Sequence, residues 1–119
     1  MRFILSGLTL LAFAAPAQAQ DAAAGKAAFV PCSICHAVEP GKAKLGPSLF
    51  GVVGRKVGSD PKFAYSPALK AKGGVWTPAA LDAFVAAPKT VVPGNKMAYP
   101  GVTDAKKRAD LIAYLKTLK

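Results

Sequence analysis

The stretch VPCSICHAVEP, Val30–Pro40, holds both cysteines of the chain and its only histidine. Cys32 and Cys35 are separated by Ser33 and Ile34, and His36 follows directly. Four chemistries gather such side chains at close spacing. A structural zinc site takes four Cys or His ligands, and this chain has three. A thioredoxin-type dithiol belongs in a strand–helix–strand setting, which the flanking sequence lacks. A plain disulfide would close too short a loop to gain much chain-entropy stabilisation, and it leaves His36 without a role. Covalent c-type haem uses all three residues. Cys32 and Cys35 form thioethers to vinyl groups on one edge of the macrocycle, and His36 brings its imidazole beneath the iron.

Upstream, MRFILSGLTLLAFAAPAQAQ opens with Arg2, runs apolar from Phe3 to Ala15, and places small residues at Ala17 and Ala19 after Pro16. This is the layout of a secretory signal cleaved after Ala19, and the apolar run is shorter than the ~20 residues that span a bilayer. The expected organisation is a signal peptide over 1–19 and one domain over 20–119. Sixteen Lys and Arg against six Asp and Glu give the full chain +10, and +9 once Arg2 is removed. The lysines are scattered instead of forming the aromatic-interleaved basic run of a nucleic-acid-binding tail. An exported basic monomer with salt-sensitive attraction to acidic protein surfaces, or transiently to a membrane surface, is the expectation.

The pattern along the domain is helical, with no alternating strand pattern. Ala22–Pro31 reads as an alanine-rich helix stopped by Pro31. Glu39–Phe63 is dense in Gly and Pro and reads as loop. Thr77 caps a helix that has Pro78 at its first position and Pro88 beyond its last turn, with Leu81, Phe84 and Val85 on one face. Lys89–Val102 reads as loop. Thr103 is the expected cap of a final helix whose stripe is Leu111, Ile112, Leu115 and Leu118, edged by Tyr114. An all-α chain with so little regular structure needs a bound group at its centre.

With His36 as the only histidine, the second side of a haem iron needs another ligand. Met97 is the only methionine left after cleavage. It lies in PGNKMAYPG, a loop braced by prolines and glycines, which is a poor place for core filler. A thioether there raises the reduction potential.

Together, GKAAFVPCSICH, GPSLFGVVGRKVG, FAYSPALKAKGGVW, VPGNKMAYPGV and DLIAYLK resemble the class I cytochromes c, in their mitochondrial-type and bacterial c2-like branch. The resemblance spans nearly the whole domain. It implies an all-α cytochrome c fold, with three to five short helices and long loops around one covalent haem c. It makes Cys32 and Cys35 the thioether residues and His36 and Met97 the axial ligands. Pro47 then accepts the imidazole N–H, and Arg55, Tyr65 and Trp76 donate to a buried haem propionate. Gly25, Phe29 and Tyr114 match the crossing of the first and last helices. Two positions depart from the family pattern. Asn95, placed among the cofactor-binding residues, stands where relatives often carry threonine. Phe84 stands where many carry a tyrosine that hydrogen-bonds the methionine sulfur.

The function implied is one-electron carriage in the periplasm between redox partners with acidic docking surfaces (oxidase, reductase or photosynthetic complex), with no enzymatic reaction. Lys26, Lys44, Lys89 and Lys96 are the expected docking lysines, with Lys62 away from them. A ligand-binding haem protein whose Met97 dissociates readily is the alternative that the Phe84 departure keeps open. A colourless product would instead mark a non-haem dithiol protein.

Overall fold

The computed structural model describes residues 20–119; the expected signal peptide lies outside the described residues. Five short α-helices and one 3₁₀ turn account for the regular structure described: α1 Ala22–Ala28, the 3₁₀ turn Cys32–Ile34, α2 Pro67–Lys72, α3 Pro78–Ala86, α4 Pro88–Val91 and α5 Ala105–Lys116. No strand occurs among the described residues, only an isolated antiparallel bridge between Lys56 and Val75. No helix among them is long and apolar enough to cross a membrane.

The caps explain where the helices start. Asp21 accepts from the Ala23 and Ala24 amides at the head of α1, Ser66 from Leu69 at α2, and Thr77 from Ala80 at α3. Each satisfies amides that have no partner inside the helix. Three boundaries differ from the sequence expectation. α1 stops at Ala28, short of Pro31, because Phe29 and Val30 already turn the chain toward the cysteines. Pro88 does more than follow α3. It opens α4, where its missing N–H costs nothing at a first helical position. Asp104 caps α5 in place of Thr103, its carboxylate accepting from the Lys107 amide at 2.9 Å.

α1 and α5 cross to form the main helix–helix contact. The crossing is close because of Gly25: a Cβ there would stand 1.9 Å from the Asp110 carbonyl oxygen and 2.9 Å from Tyr114 Cβ. Phe29 and Tyr114 fill the space beside it, with ring centroids 5.3 Å apart. Asp110, whose side chain is 9% exposed, binds the two helices together. It accepts the Asp21 amide at 2.9 Å and the Lys106 ammonium at 2.6 Å. Leu111, Ile112 and Leu115 of α5 join Phe29, Val52, Val57, Trp76 and Leu81 in one buried cluster.

Candidate cofactor site

The 3₁₀ turn places the cysteines. The Cys35 and His36 amides both donate to the Cys32 carbonyl, at 3.1 and 2.9 Å, so the chain coils tightly through the motif. Both thiols are free and half-buried, and burial pushes the Cys32 thiol up from its ordinary value. Among the described residues no three Cys, His, Asp or Glu side chains gather as a metal-binding cluster.

His36 is oriented by the segment that follows. The Gly46 amide donates to the Cys35 carbonyl at 2.8 Å and the Leu49 amide to Ala37 at 2.9 Å, stitching residues 46–49 alongside 35–37. Pro47 thereby presents its carbonyl 2.7 Å from His36 Nδ1. A carbonyl only accepts, so Nδ1 carries the proton and the Nε2 lone pair is left for a ligand. Burial lowers the imidazole's affinity for a second proton, the Pro47 contact opposes this, and Arg55 adds to the lowering. The ring is held neutral, which is the form that binds a metal. Gly46, absent from the sequence expectation, proves to be part of this arrangement. A Cβ on it would lie 2.5 Å from His36 Cε1, 2.8 Å from Nδ1 and 3.0 Å from Nε2. The imidazole packs where a side chain would stand, and the only sequence signal for it was a glycine before Pro47.

Arg55 and Trp76 lie on the bridged segments. The Trp76 amide donates to the Arg55 carbonyl at 2.8 Å, and the Gly54 amide to Trp76 at 2.8 Å. Arg55 Nη1 donates to the Ser48 and Phe50 carbonyls, while its Nε is buried with no partner. An uncompensated buried guanidinium N–H is costly, and a carboxylate brought to it would complete it. Tyr65 is buried on a separate segment; its hydroxyl accepts the Asp60 amide at 3.1 Å, which leaves its own proton to donate.

Met97 sits on a loop anchored at both ends. Asn95 is buried and its amide is fully engaged: Nδ2 donates to the Pro88 and Val92 carbonyls at 2.9 and 2.8 Å, and Oδ1 accepts the Met97 amide at 2.8 Å. Its side chain thereby fixes the Met97 backbone. Downstream, Gly101 (φ 115°) lies against the end of α3, where a Cβ would meet the Ala86 carbonyl oxygen at 2.5 Å. The Val102 amide donates to Val85 at 2.8 Å. Arg108 of α5 donates to the Val102 and Thr103 carbonyls and to Asp82 of α3. The Phe84 ring packs on Trp76, with centroids 5.1 Å apart.

The family model for cytochrome c matches residues 22–119. The chain belongs to the cytochrome c family. Cytochrome c2 of Blastochloris viridis is 47% identical over 118 residues, covering 98% of this chain and 93% of that one. Cytochrome c2 of Rhodopila globiformis is 52% identical over 88 residues, covering 74% and 83%. Among solved structures, cytochrome cH from Methylobacterium extorquens superposes with a TM-score of 0.78 at 52% identity, covering 82% of this chain and 98% of that one. This cytochrome thus has the all-α cytochrome c fold, and membership brings one covalent haem c and an electron-carrying role in place of an enzymatic one. The neutral His36 and the orphaned Arg55 Nε fit such a group.

Proposed function

We propose that this cytochrome is an exported, periplasmic one-electron carrier. Cys32 and Cys35 hold its haem c by thioethers, and His36 and Met97 ligate the iron. When bound, the haem supplies a single electron site that cycles between ferric and ferrous. The chain's own residues hold the geometry constant through that cycle. Pro47 and Gly46 fix the plane of the imidazole, Asn95 and Arg108 fix the two ends of the Met97 loop, and Arg55, Tyr65 and Trp76 offer donors to a propionate. The observation that carries this reading is the 2.7 Å contact from His36 Nδ1 to Pro47, which frees Nε2 alone for the iron. The 118-residue match to the Blastochloris viridis protein takes in most of residues 1–19, in keeping with a shared leader.

Lys26, Lys44, Lys89 and Lys96 are all exposed, and Val30, Ile34 and Leu45 are apolar yet 63%, 74% and 81% exposed. Lys26 and Lys44 line one surface depression with Val30 beside the cysteine motif, and a cationic, partly apolar face suits an acidic partner docked for fast, salt-sensitive exchange. The deciding experiment is an optical spectrum of the processed protein in both oxidation states, with Met97→Ala beside it. A low-spin parent with a sulfur–iron charge-transfer band, and a variant with lower potential and an iron open to carbon monoxide, is expected. Rapid carbon monoxide binding by the reduced parent itself would replace this reading with that of a ligand-binding haem protein.

A further inference from the structure

The ammonium of Lys72 lies 5.3 Å from the centre of the Trp76 ring. Lys72 is the last residue of α2, and the chain reverses after it through Gly73 (φ 64°) and Gly74 (φ 82°). Left-handed backbone at both positions is readily met only by glycine. The reversal feeds Trp76 into the core, where its amide bonds Arg55, and it is fixed further by the Val57 amide donating to the Gly74 carbonyl at 2.9 Å. The indole is therefore gripped on three sides. Phe84 packs on it, the Arg55 carbonyl holds its backbone amide, and the Lys72 ammonium lies over its ring. Other cations of this region are placed differently. Lys70 packs by Gly58, and Lys56 lies on the bridge to Val75.

We propose that Lys72 is a positioning residue for electron transfer. Its ammonium holds the Trp76 indole in place, and through the Trp76–Arg55 backbone pairing it steadies the unpartnered guanidinium N–H as well. This rests on the carrier reading above, in which Trp76 and Arg55 serve a haem propionate. A cation stacked on a ring gains from the ring's negative face and seals it from water. The same charge favours the ferrous state, which carries one positive charge less than the ferric. Lys72 thus couples order in the propionate donors to a raised potential.

The test compares Lys72→Met, Lys72→Arg and Lys70→Met in the mature holo-protein. Trp76 is the only tryptophan, so one indole N–H resonance reports on it. Lys72→Met should speed solvent exchange of that proton several-fold to roughly tenfold, on the scale of a cation–π contact. It should also lower the midpoint potential. Lys72→Arg, which keeps a cation able to stack, should stay near the parent in both. Lys70→Met removes an equal charge from the same helical turn and should leave indole exchange unchanged. A Lys72→Met protein with parental indole exchange, or one indistinguishable from Lys70→Met in both readouts, overturns the proposal. A low-spin, thioether-ligated parent that shows this indifference leaves the carrier reading standing. A parent without such haem fails that reading and the proposal with it.

Discussion

Replacing Gly46 by alanine tests the proximal side at one atom. The added Cβ would meet His36 Cε1 at 2.5 Å, against about 3.5–4.0 Å for a relaxed carbon–carbon contact, so something must withdraw by roughly 1 Å. Gly46 itself is poorly placed to do so. Its amide is bound to Cys35 and its carbonyl accepts the Lys44 amide at 3.0 Å. It is not among the glycines with positive φ, so alanine brings no backbone strain of its own and the effect is steric. The ring is the softer body, yet moving it by that much stretches the 2.7 Å contact to Pro47 past the ~3.2 Å limit of a useful N–H···O bond.

Overpacking costs about 1–3 kcal/mol and the lost hydrogen bond about 0.5–1.5 kcal/mol. We expect a combined destabilisation of roughly 2–3 kcal/mol, at about 4–8 °C of Tm per kcal/mol for a domain of this size. An imidazole that no longer donates to Pro47 is a weaker base toward iron and supports the ferric state less. The midpoint potential should therefore rise, by a few tens of millivolts if roughly 1 kcal/mol distinguishes the two oxidation states. Gly51→Ala is the control. Gly51 has φ 67° with nothing within 4 Å of a Cβ, so alanine there should cost about 1–2 kcal/mol of strain and leave the potential alone. Thermal unfolding and redox titration of the holo-protein decide the matter. A Gly46→Ala protein matching the parent in both would refute the account of how the imidazole is held.

Three further outcomes follow from the same geometry. The Lys106 ammonium and the Asp21 amide hold the Asp110 carboxyl below the usual carboxylate range. Its folded value thus lies below its unfolded one, so its contribution is complete above about pH 4 and is lost as pH falls further; Asp110→Asn should be less stable at neutral pH and show a flatter acid-unfolding profile. Asn95→Ala leaves the Met97 amide without its acceptor, costing about 1–3 kcal/mol, and alkaline titration of the sulfur–iron band should show Met97 displaced at lower pH. Arg108→Lys keeps the charge but loses the planar fork that reaches Asp82, Val102 and Thr103 together, and denaturant titration should show a loss of about 1–2 kcal/mol, with Arg108→Ala losing more.

What could be read from the sequence was local. Thr77 and Pro78 announce α3 because a cap and its helix are neighbours in the chain, and the stripe of Leu111, Ile112 and Leu115 is a periodicity within α5. The Cys32–His36 cluster is likewise contained in a few residues. The features that escaped depend on segments meeting in space. Asp110 reads as a solvated residue of an amphipathic helix until the Asp21 amide arrives from 89 positions away. Arg108 clamps Asp82 of α3 and the carbonyls of a loop, partners that its place in the sequence does not announce. Gly46 carries no outward sign that an imidazole occupies the room its missing side chain leaves. Thr103 and Asp104 are both competent caps by composition, and only the path of the loop into α5 selects the carboxylate.

The two sides of the site differ in which elements anchor them. The residues proposed to hold the proximal ligand, Gly46 and Pro47, are stitched by backbone hydrogen bonds to the segment that carries it. That unit is held by the backbone of two adjacent segments and draws on none of α3, α4 or α5, so it should survive loosening of those helices. The loop of Met97 is instead tied to three helices. Its upstream end depends on Asn95 reaching α4, and its downstream end on Gly101 packing against α3 and on Arg108 extending from α5. Loosening any one of these helices loosens the thioether without touching the imidazole. Stress on this cytochrome should therefore release Met97 first and leave His36 in place. In a denaturant titration the sulfur–iron band should fade before helical circular dichroism falls, and Arg108→Ala should widen the gap between the two midpoints. Coincident transitions in parent and variant would mean that the Met97 loop and the helices unfold as one body, and the asymmetry drawn from their anchoring would be wrong.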